Sequence, residues 1–187
     1  QLMRNVASRL SPGGVFVATI ADANVLVKRL RASSELNFGN AIYSVSFDER
    51  HASKRFPSSD PFGLGYTFFL AEAVENCAEY LVHLTTLTTL AAAQGLQLEY
   101  ARNFCDLFGD EWKSHADLLE RMKVLPAEGA IGEDTWEVAH SYMVVAFRKE
   151  GTLLRPQRPP RLTHKPFRES QILMLDGADG LVNNASM

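Results

Sequence analysis

The sequence lacks the features that mark several broad classes of protein. Its 187 residues include only two cysteines, Cys77 and Cys105, and these are not in CxxC spacing. Neither a disulfide framework nor a thiolate zinc site is therefore predicted. No apolar run approaches the roughly 18 residues that a membrane span needs, and the start, Gln1 to Asn5, lacks the basic-then-apolar order of a signal peptide. These absences predict a soluble intracellular protein with no membrane segment.

A large excess of positive charge is also absent. The formal net charge is −3 at pH 7. This charge argues against a protein that binds nucleic acid mainly through lysine and arginine, but it is compatible with a protein that recognises a single nucleotide. The five histidines show no HxxxH or acid-paired spacing, so no metal site is predicted. Because Gln1 is not a start methionine, we expect the chain to be incomplete at its amino end.

The first third of the chain has an α/β pattern. Residues 3–10 carry apolar side chains at helical spacing, and Ser11–Gly14 breaks the pattern. The run 15–20 is short, β-rich and almost wholly apolar, which predicts a strand buried on both faces of a parallel sheet. Asp22 is placed to cap a following amphipathic helix that ends near Ser33.

The middle third changes character. Residues 41–47 alternate between polar and apolar, residues 66–70 form a second short β candidate, and the polar stretch 48–60 separates them. Two strands joined in this way predict a small antiparallel insertion beside a main sheet. We expect a helix over 78–94, ended by Gly95.

The last third predicts alternating elements and then a tail. The sequence predicts two domains, a folded one over 1–150 and a basic, proline-rich tail over 151–187. We expect the tail to be disordered apart from an apolar docking patch at 172–175. The elements expected before the tail are a strand at 96–101, helices at 116–122 and 136–140, and a nearly continuous apolar strand at 142–147.

Four motifs carry a resemblance to a known family. They are Phe38-Gly39-Asn40-x-Ile42-Tyr43-x-Val45-x-Phe47, Phe62-Gly63-x-x-Tyr66-x-Phe68-x-Leu70, Ala78-Glu79-Tyr80-Leu81-Val82 and Ser141-Tyr142-x-Val144-x-Ala146-Phe147. In this order and spacing, over about residues 3–149, the chain resembles the eukaryotic mRNA cap guanine-N7 methyltransferases. Leu10–Gly14 is also similar to the turn before the fifth strand of class I S-adenosylmethionine-dependent methyltransferases.

The resemblance implies a fold and a reaction. The fold is the carboxy-terminal half of a seven-stranded class I, Rossmann-like methyltransferase, and the reaction moves a methyl group from S-adenosylmethionine to N7 of the cap guanosine. The residues that bind this cofactor are expected upstream of Gln1, since the family's glycine-rich loop and ribose-binding acid are not found in the chain. Implied partners are 5′ capped mRNA, other capping enzymes and the RNA polymerase II machinery, and the implied location is the nucleus.

Glu79 resembles the family carboxylate that binds the guanine Watson–Crick edge. The chemistry agrees, because an ionised carboxylate offers two acceptor oxygens to the N1–H and amino donors of guanine and mismatches adenine, whose N1 is an acceptor. The alternative is a solvated glutamate in the first turn of a helix, where the helix dipole favours it.

Four further residues are candidates for the cap pocket. Tyr142 resembles a family tyrosine near the bound cap, where a ring can pack against the base, with ordinary strand packing as the alternative. Ala21 lies where the family commonly has a proline that forms part of the pocket wall, and this departure puts the wall contact in doubt. Asn40 and Tyr43 match a stretch near the active site and are open to pocket shaping or to packing of the insertion.

The expected mechanism is positioning. Guanine N7 already has a nucleophilic lone pair, so a general base has no proton to take, and Glu79 and Tyr142 are expected to bind and orient without acid–base catalysis. Two alternatives stay open. One is a non-catalytic relative that binds a nucleotide or a partner, and the other is a small-molecule methyltransferase of the same fold, against which the motif order argues.

Overall fold

The computed structural model describes residues 1–57, 59–124, 131–151, 174–176 and 180–182. Its first sheet has three strands in the order β1-β7-β6, and both pairings are antiparallel. The strands are β1 (Val15–Ala21), β6 (Leu96–Asn103) and β7 (Tyr142–Lys149). Alternate residues of β7 are buried, and Met143, Val145 and Phe147 pack with Met3 and Ala7 of α1 (Leu2–Arg9) and with Ala91 of α3 (Leu84–Ala92).

The second sheet is the insertion, and it is antiparallel throughout. It has the order β2-β3-β4-β5, formed by β2 (Asn37–Gly39), β3 (Tyr43–Phe47), β4 (Gly65–Leu70) and β5 (Val74–Tyr80). The alternation in β3 buries Tyr43, Val45 and Phe47 on one face. This face packs against α2 (Ala23–Ala32), through Leu26 and Leu30. The predicted insertion of antiparallel strands is confirmed.

A 3-10 helix, Glu49–His51, lies between β3 and β4, and three short α-helices complete the described elements before residue 151. They are α4 (Phe104–Glu111), α5 (Ala116–Arg121) and α6 (Glu133–His140). None of them has a fully buried residue. The sequence predicts α5 and the second half of α6 but not α4, whose start is fixed locally by the Asn103 side chain, which accepts a hydrogen bond from the backbone N–H of Cys105 at 3.0 Å.

The predicted helix over 78–94 is wrong in its first third. Residues 78–80 are the end of strand β5, and the helix begins only at Leu84. Local sequence around Glu79 suits a helix, but pairing with the aromatic strand β4, with Tyr66 opposite Glu79 and Phe68 opposite Cys77, overrides that preference. The helix ends at Ala92, two residues before the predicted end, and Gly95 follows with a left-handed φ of +70°.

The expected burial of β1 in a parallel sheet is also not met within the described residues. Strand β1 pairs with β7 antiparallel and lies at the edge of its sheet, with Val17 62% exposed. An apolar run of this length suits a parallel or an antiparallel partner equally, so the sequence could not choose between them.

The chain divides into two compact units, Gln1–Leu153 and Leu154–Met187. In the second unit, β8 (Met174–Asp176) and β9 (Gly180–Val182) pair as a short antiparallel hairpin. Residues 152–173 lie outside the described part, so the predicted disorder of 151–187 stays a prediction. Among the described residues, no helix is long and apolar enough to cross a membrane.

Candidate functional site

The candidate site begins where β1 ends and β7 starts. Ala21, the last residue of β1, lies directly opposite Tyr142, the first residue of β7. Asp22 then caps α2, accepting a hydrogen bond from the Asn24 N–H at 3.1 Å, and its second oxygen accepts one from the Asn103 amide at 3.1 Å. The Asp22 N–H donates to the Ser141 carbonyl at 2.9 Å. These bonds fix the ends of all three strands at one edge of the sheet.

Glu79 lies on the insertion sheet with its carboxylate held by a tyrosine. The Tyr66 hydroxyl on the neighbouring strand donates a hydrogen bond to Glu79 Oε2 at 2.5 Å. Tyr66 is buried, and burial raises its pKa well above the usual range, with the Glu79 hydrogen bond and charge adding to the effect. Tyr66 therefore remains a hydrogen-bond donor throughout the working pH range. Glu79 itself is half-buried.

Tyr142 is set among aromatic rings near that carboxylate. Its ring meets Phe68 edge-on at a centroid distance of 6.3 Å and lies 6.3 Å from Phe104 at a tilt of 38°. The pKa of Tyr142 is raised, first by burial and second by the charge of Glu79. The Glu79 charge therefore acts on the Tyr142 phenol although the two residues belong to different sheets.

Asn40 and Tyr43 form a second cluster, centred on Glu137 of α6. Glu137 accepts from Arg29 at 2.7 Å on Oε1 and from the Asn40 amide at 2.7 Å on Oε2. Arg29 also donates to the hydroxyl of Tyr43, whose side chain is almost wholly buried. Burial is the largest cause of a raised pKa at Tyr43. The cluster joins α2, the β2–β3 turn and α6 behind the site.

The predicted site residues thus fall into two groups. Ala21 and Tyr142 lie opposite each other on the first sheet, and the charge of Glu79 acts on the Tyr142 phenol. Asn40 and Tyr43 belong to the Glu137 cluster, and the Tyr43 ring lies 6.4 Å from Phe68. Sequence reasoning assigned no role to two members of the site, Tyr66 and Phe104. The pairing of Tyr66 with Glu79 could not be anticipated once residues 78–80 were expected to be helical, and the start of α4 at Phe104 was not foreseen.

Gly13 and Gly14 precede strand β1, and a glycine pair of this kind can let the backbone approach a cofactor such as S-adenosylmethionine. A Cβ on Gly14 would meet the Ser11 carbonyl oxygen at 2.9 Å, so this turn is filled by its own backbone. It also precedes β1, whereas a phosphate- or nucleoside-binding glycine loop follows a strand and opens a helix. The residues present do not fit S-adenosylmethionine at this turn.

The remaining reactive groups give no sign of metal or redox chemistry in the described part of the chain. No group of three or more His, Cys, Asp or Glu side chains is arranged to hold a metal ion there. Cys77 and Cys105 are free, and burial raises the pKa of the Cys105 thiol, which makes it a poorer nucleophile.

Comparison with known proteins places these observations in one family. Residues 1–150 match the model of the mRNA (guanine-N(7))-methyltransferase domain. The mRNA cap guanine-N(7) methyltransferase 1 of Oryza sativa is 40% identical over 158 residues, covering 81% of this chain and 42% of that protein. The Drosophila melanogaster mRNA cap guanine-N(7) methyltransferase is 34% identical over 179 residues, covering 79% and 40%.

Structural likeness is weaker. The CcbJ methyltransferase from Streptomyces caelestis has a TM-score of 0.38 and 13% identity over 79% of this chain and 51% of its own, a level that indicates nothing about function. The chain spans about two fifths of the length of the curated relatives it matches, 42% for rice and 40% for the fly. The match over residues 1–150, which includes every predicted site residue, shows that the chain belongs to the mRNA (guanine-N7)-methyltransferase domain family.

Proposed function

We propose that this chain is the guanine-binding part of an enzyme that methylates N7 of the mRNA cap guanosine, and that Glu79 and Tyr142 bind the guanine. The observation that carries the proposal is the Glu79 carboxylate, which is half-buried, anchored by the Tyr66 hydroxyl at 2.5 Å and adjacent to an aromatic ring. A carboxylate held in this way is organised before a ligand arrives, which lowers the entropic cost of binding.

The chemistry of the anchored carboxylate suits guanine. The Tyr66 hydroxyl occupies one lone pair of Oε2. Among the described residues no other donor reaches this carboxylate, so Oε1 and the second lone pair of Oε2 can accept. Guanine presents two donors side by side on its Watson–Crick edge, so both can be satisfied at once. Adenine presents an acceptor at N1, which would face the carboxylate charge.

Binding guanine by this edge leaves the reacting atom accessible. N7 lies on the opposite, major-groove side of the base, away from N1 and the amino group. The attacking lone pair carries no proton, so the side chains of this chain have only to bind, orient and exclude water. Tyr142 contributes the apolar contact to the base, backed by Phe68 and Phe104.

The other predicted residues have supporting roles in this proposal. Ala21 forms the wall beside Tyr142, with less contact than the proline common in the family would give. Asn40 and Tyr43 shape the pocket from behind, through the Glu137 cluster and through Phe68. The same proposal includes S-adenosylmethionine as methyl donor, capped mRNA as substrate, capping enzymes and RNA polymerase II machinery as partners, and the nucleus as location.

Replacing Glu79 with glutamine tests the proposal. In the full-length enzyme, Glu79→Gln places an NH₂ donor where guanine also presents donors. We expect kcat/KM for capped guanosine to fall by roughly 30- to 1,000-fold, on the order of 2–4 kcal/mol, with little change in S-adenosylmethionine affinity. Tyr142→Ala should cost about 1–3 kcal/mol in the same assay.

The matched control is Glu75→Gln, an exposed glutamate on the same strand. It should leave the kinetics and the melting temperature unchanged. Near-normal cap kinetics in a folded Glu79→Gln enzyme would return Glu79 to a structural role and refute the assignment. A different result would favour the non-catalytic alternative: the full-length wild-type protein would transfer no methyl group, and Glu79→Gln would lower its affinity for capped RNA.

The 187-residue chain by itself should neither bind S-adenosylmethionine well nor methylate a cap analogue. We expect this because the glycine-rich loop and the ribose-binding acid of the family are not found in the chain. Calorimetry of the isolated chain with S-adenosylmethionine checks this expectation, and binding in the micromolar range would contradict it.

A further inference from the structure

In the described part of the chain, the three helices after β6 form an apolar groove that adjoins the proposed cap site at Phe104. Helices α4, α5 and α6 surround a cavity of about 340 Å³. Its lining is mostly aromatic and aliphatic, and it includes Phe104, Leu107, Phe108, Trp112, Leu119 and Trp136. Both tryptophans of the chain therefore line it. Trp112 is 39% exposed.

The helices that line this groove carry charges of one dominant sign. Residues 104–124 and 131–140 contain eight Asp or Glu and three Lys or Arg, against a net charge of −3 for the whole chain. Seven of the eight acids are exposed, and one of them, Glu111, lines the groove itself. Two of the eight are paired with arginines, Asp110 with Arg102 and Glu137 with Arg29, which leaves six acids against three Lys or Arg on these helices. An apolar floor with an acidic surround fits a ligand that is apolar on one side and basic at its margins.

We propose that this groove docks an amphipathic helix of a partner protein that carries lysine or arginine beside its apolar face. Apolar side chains at i, i+3 or i+4 and i+7 of such a helix would enter the groove, and its basic residues would meet the acids of α4, α5 and α6. A second copy of this chain is a poorer occupant, because it would bring the same acidic helices to an acidic surface.

The pair of tryptophans makes the groove directly observable. The full chain is titrated with a synthetic helix of leucine and lysine at amphipathic spacing, which has no aromatic residue, while tryptophan emission is recorded. The matched probe has the same leucines with glutamate in place of lysine. We expect the leucine–lysine peptide to shift the emission to shorter wavelength with saturation, and the leucine–glutamate peptide to bind at least about 10-fold more weakly.

Substitutions of two adjacent leucines on α5 distinguish docking in the groove from general charge attraction. Leu119 lines the groove, whereas Leu118 is exposed and does not. Losing one buried leucine contact is worth about 1.5–3 kcal/mol, so Leu119→Ser should weaken the leucine–lysine peptide by about 10- to 100-fold. Leu118→Ser should change its affinity by less than about 2-fold, since it leaves both the groove and the charges intact.

The proposal is overturned if neither peptide alters the emission, if both bind equally, or if the two serine variants weaken binding to the same degree. Self-association detected by analytical ultracentrifugation, with loss of the emission shift, would assign the groove to a second copy and overturn it too. Circular dichroism of both variants shows that they fold, and the wild-type titration with the two peptides stands without any variant.

Discussion

The insertion sheet and the α4–α6 helices bury their apolar residues to very different degrees. On the sheet, Tyr43, Val45, Phe47, Tyr66 and Phe68 are all at least nine-tenths buried. On α4, α5 and α6 no residue is fully buried, although these helices carry phenylalanine, leucine and tryptophan. The two regions contain similar residue types, so the difference lies in what covers them.

The packed sheet carries the proposed cap site, and the loosely covered helices form the proposed docking groove. The sheet positions Glu79 because its neighbours are packed and hydrogen-bonded on several sides, which fixes the carboxylate before a ligand binds. The helices expose apolar area that the described residues leave uncovered, which suits reversible association. The two regions meet at Phe104, which lines the groove and lies 6.3 Å from the Tyr142 ring.

The largest effect is expected on stability, when one phenylalanine of the insertion sheet and one of the α4–α6 helices are each replaced with alanine. Phe68 is 4% exposed and packs between Tyr43 and Tyr142, so Phe68→Ala should lower the free energy of unfolding by about 3–5 kcal/mol. Phe108 of α4 is only half-buried, and Phe108→Ala should cost less than about half as much. Urea denaturation of both variants gives the two values. Equal losses would mean that the helices are packed as firmly as the sheet.

The next largest effect is expected when the hydroxyl that anchors Glu79 is removed, which tests whether the packed sheet positions this carboxylate. Tyr66→Phe keeps the packed ring and deletes the hydrogen bond to Oε2, so the carboxylate can turn away from guanine. In the full-length enzyme we expect kcat/KM for capped guanosine to fall by about 5- to 10-fold, roughly 1–1.4 kcal/mol, chiefly through KM.

Tyr80→Phe is the control for that change, because Tyr80 follows Glu79 on the same strand and is 61% exposed. It should have no effect on cap kinetics. A Tyr66→Phe enzyme whose melting temperature fell while its KM stayed constant would make Tyr66 a packing residue and not a positioning residue.

The sequence predicts a structural feature correctly when that feature depends on residues close together in the chain. The turn at Ser11–Gly14, the Asp22 cap and the alternation of β3 depend on neighbouring residues, and all three are observed. The strand at Glu79 depends on its partner β4, 13 residues away at Tyr66, and no periodicity in residues 78–80 reveals that pairing.

The same distinction applies to the site. The motifs identify Glu79 and Tyr142 as candidates, but the contact that orients Glu79 comes from Tyr66, and the ring beside Tyr142 comes from Phe104. Both contacts follow from tertiary packing, which a single sequence does not encode in its spacing. The role of these residues in binding a cap stays a prediction until the kinetics are measured.

The smallest expected effect concerns a buried histidine of the loop between β3 and β4. His51 is 8% exposed and packs against Phe47 and Phe56 at ring-centroid distances of 6.1 and 5.4 Å. Its Nε2 is buried with no hydrogen-bond partner among the described residues. Burial, followed by the charge of Arg50, lowers the pKa of His51 below its ordinary value of 6.5, with Asp48 opposing.

A lowered folded-state pKa makes the protein sensitive to mild acid. Above pH 6.5 the ring is neutral in both states, and as the pH falls through 6.5 towards the lowered value the unfolded state gains a proton that the folded state resists. The melting temperature should therefore drop between about pH 7.5 and 5.5, above the range in which carboxylates titrate, by a few degrees. His51→Phe should remove that part of the drop, whereas His115→Asn, at an exposed site on the α4–α6 side, should retain it. An unchanged pH profile in His51→Phe would show that the ring takes up its proton as easily in the folded protein as in the unfolded chain, and the acid sensitivity would have to be sought outside the insertion sheet.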